Sequence, residues 1–76
     1  MITVKLYGLL RVESGIKEKQ LEAKDMKEVF SLLSDCGLAK QDLQGCIILI
    51  NGIVSNKRSK LNHGDTVVLI SPVAGG

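Results

Sequence analysis

Seventy-six residues with 45% apolar content make one small domain, and a chain of this length buries only about 60% of the surface it exposes when unfolded. Aromatics are limited to Tyr7 and Phe30, so Leu, Ile and Val must fill the core of what is a globular and not a disordered composition. Ten basic and eight acidic residues are mixed along the chain for a net charge of +2, without the aromatic-interleaved basic cluster that suits nucleic acid; no apolar run approaches the roughly 18 residues of a membrane span, and "MITVKLYG" carries no charged leader, so the expectation is a cytoplasmic protein with neither nucleic acid nor membrane as a partner.

"ITVKLY" alternates, with Ile2, Val4 and Leu6 on one face and Thr3, Lys5 and Tyr7 on the other, which predicts a half-buried first strand. Gly8 ends it. "LLRVESGIKEK" reads as a polar connection with room for a short turn, ahead of a weaker strand around residues 19–23. Asp25 then stands where an N-cap belongs, with Glu28 three residues on and Met26, Val29, Phe30 and Leu33 at helical spacing until Gly37. The prediction is one helix of about 12 residues, its apolar stripe facing the core. Gly37 suits a left-handed residue after the last turn, and Leu38 a hydrophobic closing contact.

"CIILI" (46–50) is a second strand signal, and Asn51-Gly52 the strongest short hairpin signal, leading into a brief "IVS". The basic loop "NKRSK" reads as solvated, or else as a basic rim that steers an acidic partner through Lys57, Arg58 and Lys60. A turn "NHGD", with His63 as a plain turn residue, precedes the last strand, "TVVLIS". The expected fold is α+β, one mixed sheet of four to five strands packed on a single main helix. Cys36 and Cys46 lack metal-binding spacing and read as reduced, core or half-buried thiols. The serines have no plausible histidine partner for nucleophilic work except His63.

One imbalance stands out. "CIILI" and "VVLI" are continuous apolar runs, which normally belong to strands covered on both faces. A lone helix covers one. Either the connections at 8–18 and 38–45 fold over the other face, or it stays open as an apolar patch of a few hundred Å², a size that marks protein interfaces. The last strand of that patch runs into "SPVAGG". Pro72 has no amide hydrogen to extend a ladder, so residues 1–71 are expected to form the domain and 72–76 a flexible tail. A carboxylate on two bare glycines is minimally hindered, and adenylation by ATP turns it into a mixed anhydride that a thiol, sulfide or amine can attack.

The first strand with "LYGLLRVESG", the central helix and "INGIVSNKRSKLNHGDTVVLISPVAGG" together resemble the MoaD/ThiS family of ubiquitin-like β-grasp sulfur carriers over nearly the whole chain. The "GDTVVLISPVAGG" segment is the most specific part, and the long first connection with the Pro72-Val73 pair is most similar to the small subunit of molybdopterin synthase. The chain departs from that pattern at Val12, where an acidic residue is common, and at Ile70-Ser71, where an aromatic or second proline is common. The resemblance implies that an E1-like enzyme adenylates Gly76, that sulfur transfer makes it a thiocarboxylate, and that Gly75 is the slender approach. It further implies that Val67 and Leu69 face the helix, while Ile47, Leu49, Val68 and Ile70, with Pro72, Val73 and Ala74, meet partners: the E1-like enzyme and either the large synthase subunit or another sulfur acceptor. Alternation alone leaves that parity open. No bound cofactor is implied, ATP and the sulfur donor being used by the partner enzyme. Related roles stay open: sulfur delivery for thiamin, cysteine or tRNA thiolation, conjugation to proteins in the manner of ubiquitin, or a regulatory binding module with an incidental diglycine.

Overall fold

Residues 1–71 are described by the structure, a computed structural model. The alternation at the start becomes β1 (Ile2–Tyr7), with Ile2, Val4 and Leu6 buried. The next segment is not a turn but a short helix, α1 (Leu9–Ser14), whose Leu10 is fully buried. Gly15, at φ 72°, closes it in the left-handed conformation and donates to the Arg11 carbonyl at 2.9 Å. β2 (Glu18–Leu21) follows, antiparallel to β1 with Ile2 opposite Leu21. It ends two residues sooner than the 19–23 expected because β1 begins at Ile2 and offers nothing further to pair with.

The main helix, α2 (Met26–Asp35), starts as its residues dictate: the Asp25 carboxylate accepts the Glu28 amide at 2.8 Å. The capping box is one-sided, since the Glu28 carboxylate pairs instead with Lys24 at 3.8 Å. Met26, Val29 and Leu33 are fully buried and Phe30 is half-buried. At the far end Gly37 takes φ 102°, its amide donates to Ser34 at 3.0 Å and that of Leu38 to Leu33 at 3.2 Å. This is the Schellman pattern, and it absorbs Cys36 and Gly37, so the helix has 10 residues and not about 12. The segment after Leu38 forms a third helix, α3 (Lys40–Gln44), which buries Leu43.

β3 (Ile47–Ile50) and β4 (Ile53–Ser55) form the expected hairpin. Asn51 and Gly52 both have positive φ, 52° and 83°, as a type I′ turn demands. β5 (Thr66–Ile70) completes one sheet in the order β2-β1-β5-β3-β4, with β1 and β5 parallel and every other pair antiparallel. A single core of Ile2, Val4, Leu6, Ile48, Val67 and Leu69 meets the α2 stripe, and Leu10 and Leu43 join it. The two connections therefore thicken the helix side. Neither covers the opposite face.

Candidate functional site

Strand register decides what that opposite face displays. Val67 and Leu69 have no exposed surface, so Val68 and Ile70 point away from the core. Cross-strand partners share a face: Lys5, Val68, Leu49 and Val54 lie in one row across the sheet, and Tyr7, Ile70 and Ile47 in the next. Ile47 is 48% exposed, Tyr7 42% and Val54 72%, with Leu49, Val68 and Ile70 half-buried. Ile47, Leu49, Val68 and Ile70 thus stand together on the outer face, as the family resemblance implied.

Polar groups bound the patch. Lys5 and Glu18 approach to 3.9 Å toward the β2 edge, and at the other end of the strands Asn51 donates from its side-chain amide to Asp65 at 2.9 Å and accepts the Thr66 amide at 2.9 Å. The Asn62 amide, followed by the Asn51 side chain, holds the Asp65 carboxyl below its ordinary value. This knot fixes the hairpin turn to the start of β5, and so the register of the apolar rows. Tyr7 and Val54 are members that sequence reasoning missed. Their signals were present: Tyr7 lies on the outward parity of β1, and the Asn51-Gly52 turn places Val54 opposite Leu49.

The chain leaves β5 at Ser71, which is buried although polar. Its amide donates to the Tyr7 carbonyl at 3.4 Å, extending the parallel pairing by one residue. Its hydroxyl oxygen accepts the Leu10 amide at 3.2 Å and lies 3.4 Å from the Tyr7 carbonyl, to which it donates. Pro72, Val73, Ala74, Gly75 and Gly76, and with them the expected tail boundary, lie outside the described residues.

The other candidate residues lie away from this patch. Lys57, Arg58 and Lys60 are exposed, as a solvated loop requires, and Lys57 lines a cleft with Lys27, Phe30 and Lys40 on the helix side. His63 sits in its turn beside the Met1 nitrogen. Cys36 is a surface residue and not a core thiol, because the Schellman turn holds it outside. Cys46 is half-buried and donates to the Leu43 carbonyl at 2.8 Å; burial pushes its thiol above the ordinary value, away from the nucleophilic thiolate. Among the described residues no cluster of metal-ligating side chains forms, and no helix is long and apolar enough to cross a membrane. An open apolar face of this kind is what a partner can hold.

Comparison with known proteins agrees with that geometry. The ThiS family model matches residues 4–76. A sequence search of curated proteins returns no match. Among solved structures, a chain of the complex of subunits 1 and 2 of the molybdopterin-converting factor from Helicobacter pylori is 28% identical, with a TM-score of 0.74 over 99% of this chain and 97% of that one. Small archaeal modifier protein 1 from Methanosarcina acetivorans is 23% identical, with a TM-score of 0.80 over 99% and 95%. A chain of the BexX/CysO complex from Amycolatopsis orientalis is 19% identical, with a TM-score of 0.73 over the full length of both. The sheet, its helix and these neighbours make the fold a ubiquitin-like β-grasp. Matched by its family model over nearly its whole length, the chain belongs to the ThiS family, among the β-grasp sulfur carriers and ubiquitin-like proteins.

Proposed function

We propose that this protein is a cytoplasmic sulfur carrier for molybdopterin biosynthesis, the small subunit and sulfur-donating co-substrate of a molybdopterin synthase. The Gly76 carboxylate attacks the α-phosphorus of ATP on an E1-like enzyme, releasing pyrophosphate. Sulfide from a donor then displaces AMP from the acyl carbon and leaves a thiocarboxylate. That sulfur is delivered in the large subunit to the pterin precursor, with Gly75 as the thin approach and Pro72, Val73 and Ala74 lining the path. The carrier binds no cofactor itself.

The observation that carries this reading is the apolar face of Ile47, Leu49, Val68 and Ile70, whose last strand ends at Ile70, one residue short of the buried Ser71 that precedes residue 72. A face of this kind lets a partner grip the domain while the tail is delivered, and the catalytic groups are the partner's. The Helicobacter neighbour is named as a subunit of a molybdopterin-converting factor in a two-subunit complex, which supports that pathway over thiamin, cysteine or tRNA thiolation.

Incubation with the source organism's E1-like enzyme, ATP and a sulfide donor is expected to add the mass difference of one sulfur replacing one oxygen. Deleting Gly76 should abolish the gain and leave the melting curve unchanged. No mass change in the intact chain under conditions that activate another member of the family would overturn the carrier reading. Conjugates of higher mass that resist reducing agents would indicate a protein modifier instead.

A further inference from the structure

The hydroxyl of Ser71 is the buried polar side chain among the described residues, and what it bonds to is unusual for a helix this short. The first amides of any helix lack intrahelical partners, and a Ser, Thr, Asp or Asn at the N-cap normally takes one of them. In α1 the N-cap is Gly8, which has no side chain to do so. The Gly8 carbonyl takes the amides of Arg11 and Val12, both at 3.2 Å, and the Leu10 amide goes to Ser71, 61 residues away in sequence.

A local cap is ruled out by geometry. Gly8 has φ 69°, and a Cβ there would stand 2.7 Å from the Ser71 carbonyl oxygen and 2.8 Å from its hydroxyl oxygen. Gly8 is bare because Ser71 occupies the space. The last residue before 72 is therefore held by its amide on Tyr7 and by its hydroxyl on Leu10, in a space that only a bare Gly8 leaves open.

We infer that Ser71 is a positioning residue, clamped by Gly8 and Leu10 so that delivery of Gly76 starts from a fixed point with a fixed length of chain. This consequence rests on the sulfur-carrier reading; the clamp itself does not. Gly76 is the fifth residue beyond the clamp, and each further residue set free adds up to about 3.5 Å of reach. Reacting groups displaced by about 1 Å can lose up to about a hundredfold in rate, so a slipping root blurs the register between Gly76 and a partner's active centre. Docking, which uses the apolar face, is separate from this and should not feel it.

The test uses the full chain with the source organism's E1-like enzyme, following thiocarboxylate formation against carrier concentration, and amide hydrogen exchange at Leu10 in parallel. Ser71→Ala is expected to speed Leu10 exchange and to lower kcat about tenfold or more, within the range for misplaced reactants, while KM for the carrier stays unchanged; Ser71→Thr, which keeps the hydroxyl, should restore both. Inserting one glycine between Ser71 and Pro72 keeps the clamp and the fold but lengthens the delivered chain, so it should lower kcat with Leu10 exchange as in the parent. Parental kcat in either Ser71→Ala or the insertion overturns the positioning role. Unchanged Leu10 exchange in Ser71→Ala overturns the clamp. A parent chain that is never activated refutes the sulfur-carrier reading and the kinetic consequence with it, and the exchange result then decides the clamp alone.

Discussion

Leu69 and Ile47 offer two substitutions that separate the fold from its surface. Leu69 has no exposed surface and packs from β5 into the core with the α2 stripe, so Leu69→Ala removes buried methyl and methylene groups and leaves a cavity at a cost of about 3 kcal/mol. A 76-residue domain has in total roughly 4–11 kcal/mol to lose, at about 0.05–0.15 kcal/mol per residue. At about 4–8 °C per kcal/mol for a domain of this size, the melting temperature should fall by roughly 12–24 °C. Ile47 is 48% exposed, so only about half of its burial, near 1 kcal/mol of the about 2 kcal/mol for a whole side chain, is realised in the free domain. Ile47→Asp should therefore lower the melting temperature by no more than about 8 °C. On a partner the same substitution forfeits the other half and buries an unpaired carboxylate, an expense of at least about 3 kcal/mol, or about a hundredfold in affinity. Thermal melts by circular dichroism and titration calorimetry with the E1-like enzyme read the two effects apart. If Ile47→Asp binds like the parent, or melts as early as Leu69→Ala, the division of the sheet into a core face and a docking face is wrong.

Three further outcomes follow from hydrogen bonds and charges. Asp25→Ala removes the α2 cap and should cost about 1 kcal/mol, seen as a drop of about 4–8 °C in melting temperature. Asp65 has a folded pKa below its ordinary value, first through the Asn62 amide and then the Asn51 side chain, so its contribution is present above the unfolded value of about 3.9 and fades as pH falls through it. Asp65→Asn should therefore melt earlier than the parent at pH 7, with the gap closing in acid; a gap independent of pH removes the ionised carboxylate from the explanation. Glu13 is the opposite case, raised by its hydrogen bond with Asp42, then by desolvation and by that carboxylate's charge. Its favourable contribution is present below the unfolded value of about 4.3 and is lost as pH rises, so Glu13→Gln should melt later than the parent at pH 7 and lose that advantage in acid.

Elements whose signals are local were legible in the residues. β1 shows as alternation, α2 as a cap followed by a spaced apolar stripe, and the hairpin as Asn51-Gly52. The short helices were hidden because nothing local announces them: α1 opens on a glycine and is capped from Ser71, and α3 opens on Ala39 with no side-chain cap. β2 escaped accurate bounds since only Leu21 of its residues is buried, leaving no alternation to read. The outward parity of Val68 and Ile70 came through family resemblance, because continuous apolar runs look alike from both sides. Strand order supplied the remainder. Without knowing that β5 lies between β1 and β3, no reading of "ITVKLY" places Tyr7 beside Ile70 and Ile47.

The central position of β5 also governs when the domain can come into being. Thr3 finds its partner at Thr66 and Tyr7 at Ile70, so the first strand must wait for the last before either is flanked on both sides. Until then β1 and β2 on one side and β3 and β4 on the other are separate ribbons, marginal in water by themselves. Closing so long a loop makes their union the slow step of folding. A chain truncated before β5 loses the keystone that joins the two ribbons, and with it the surface a partner would grip. Release of a functional carrier is thereby tied to completion of its final strand.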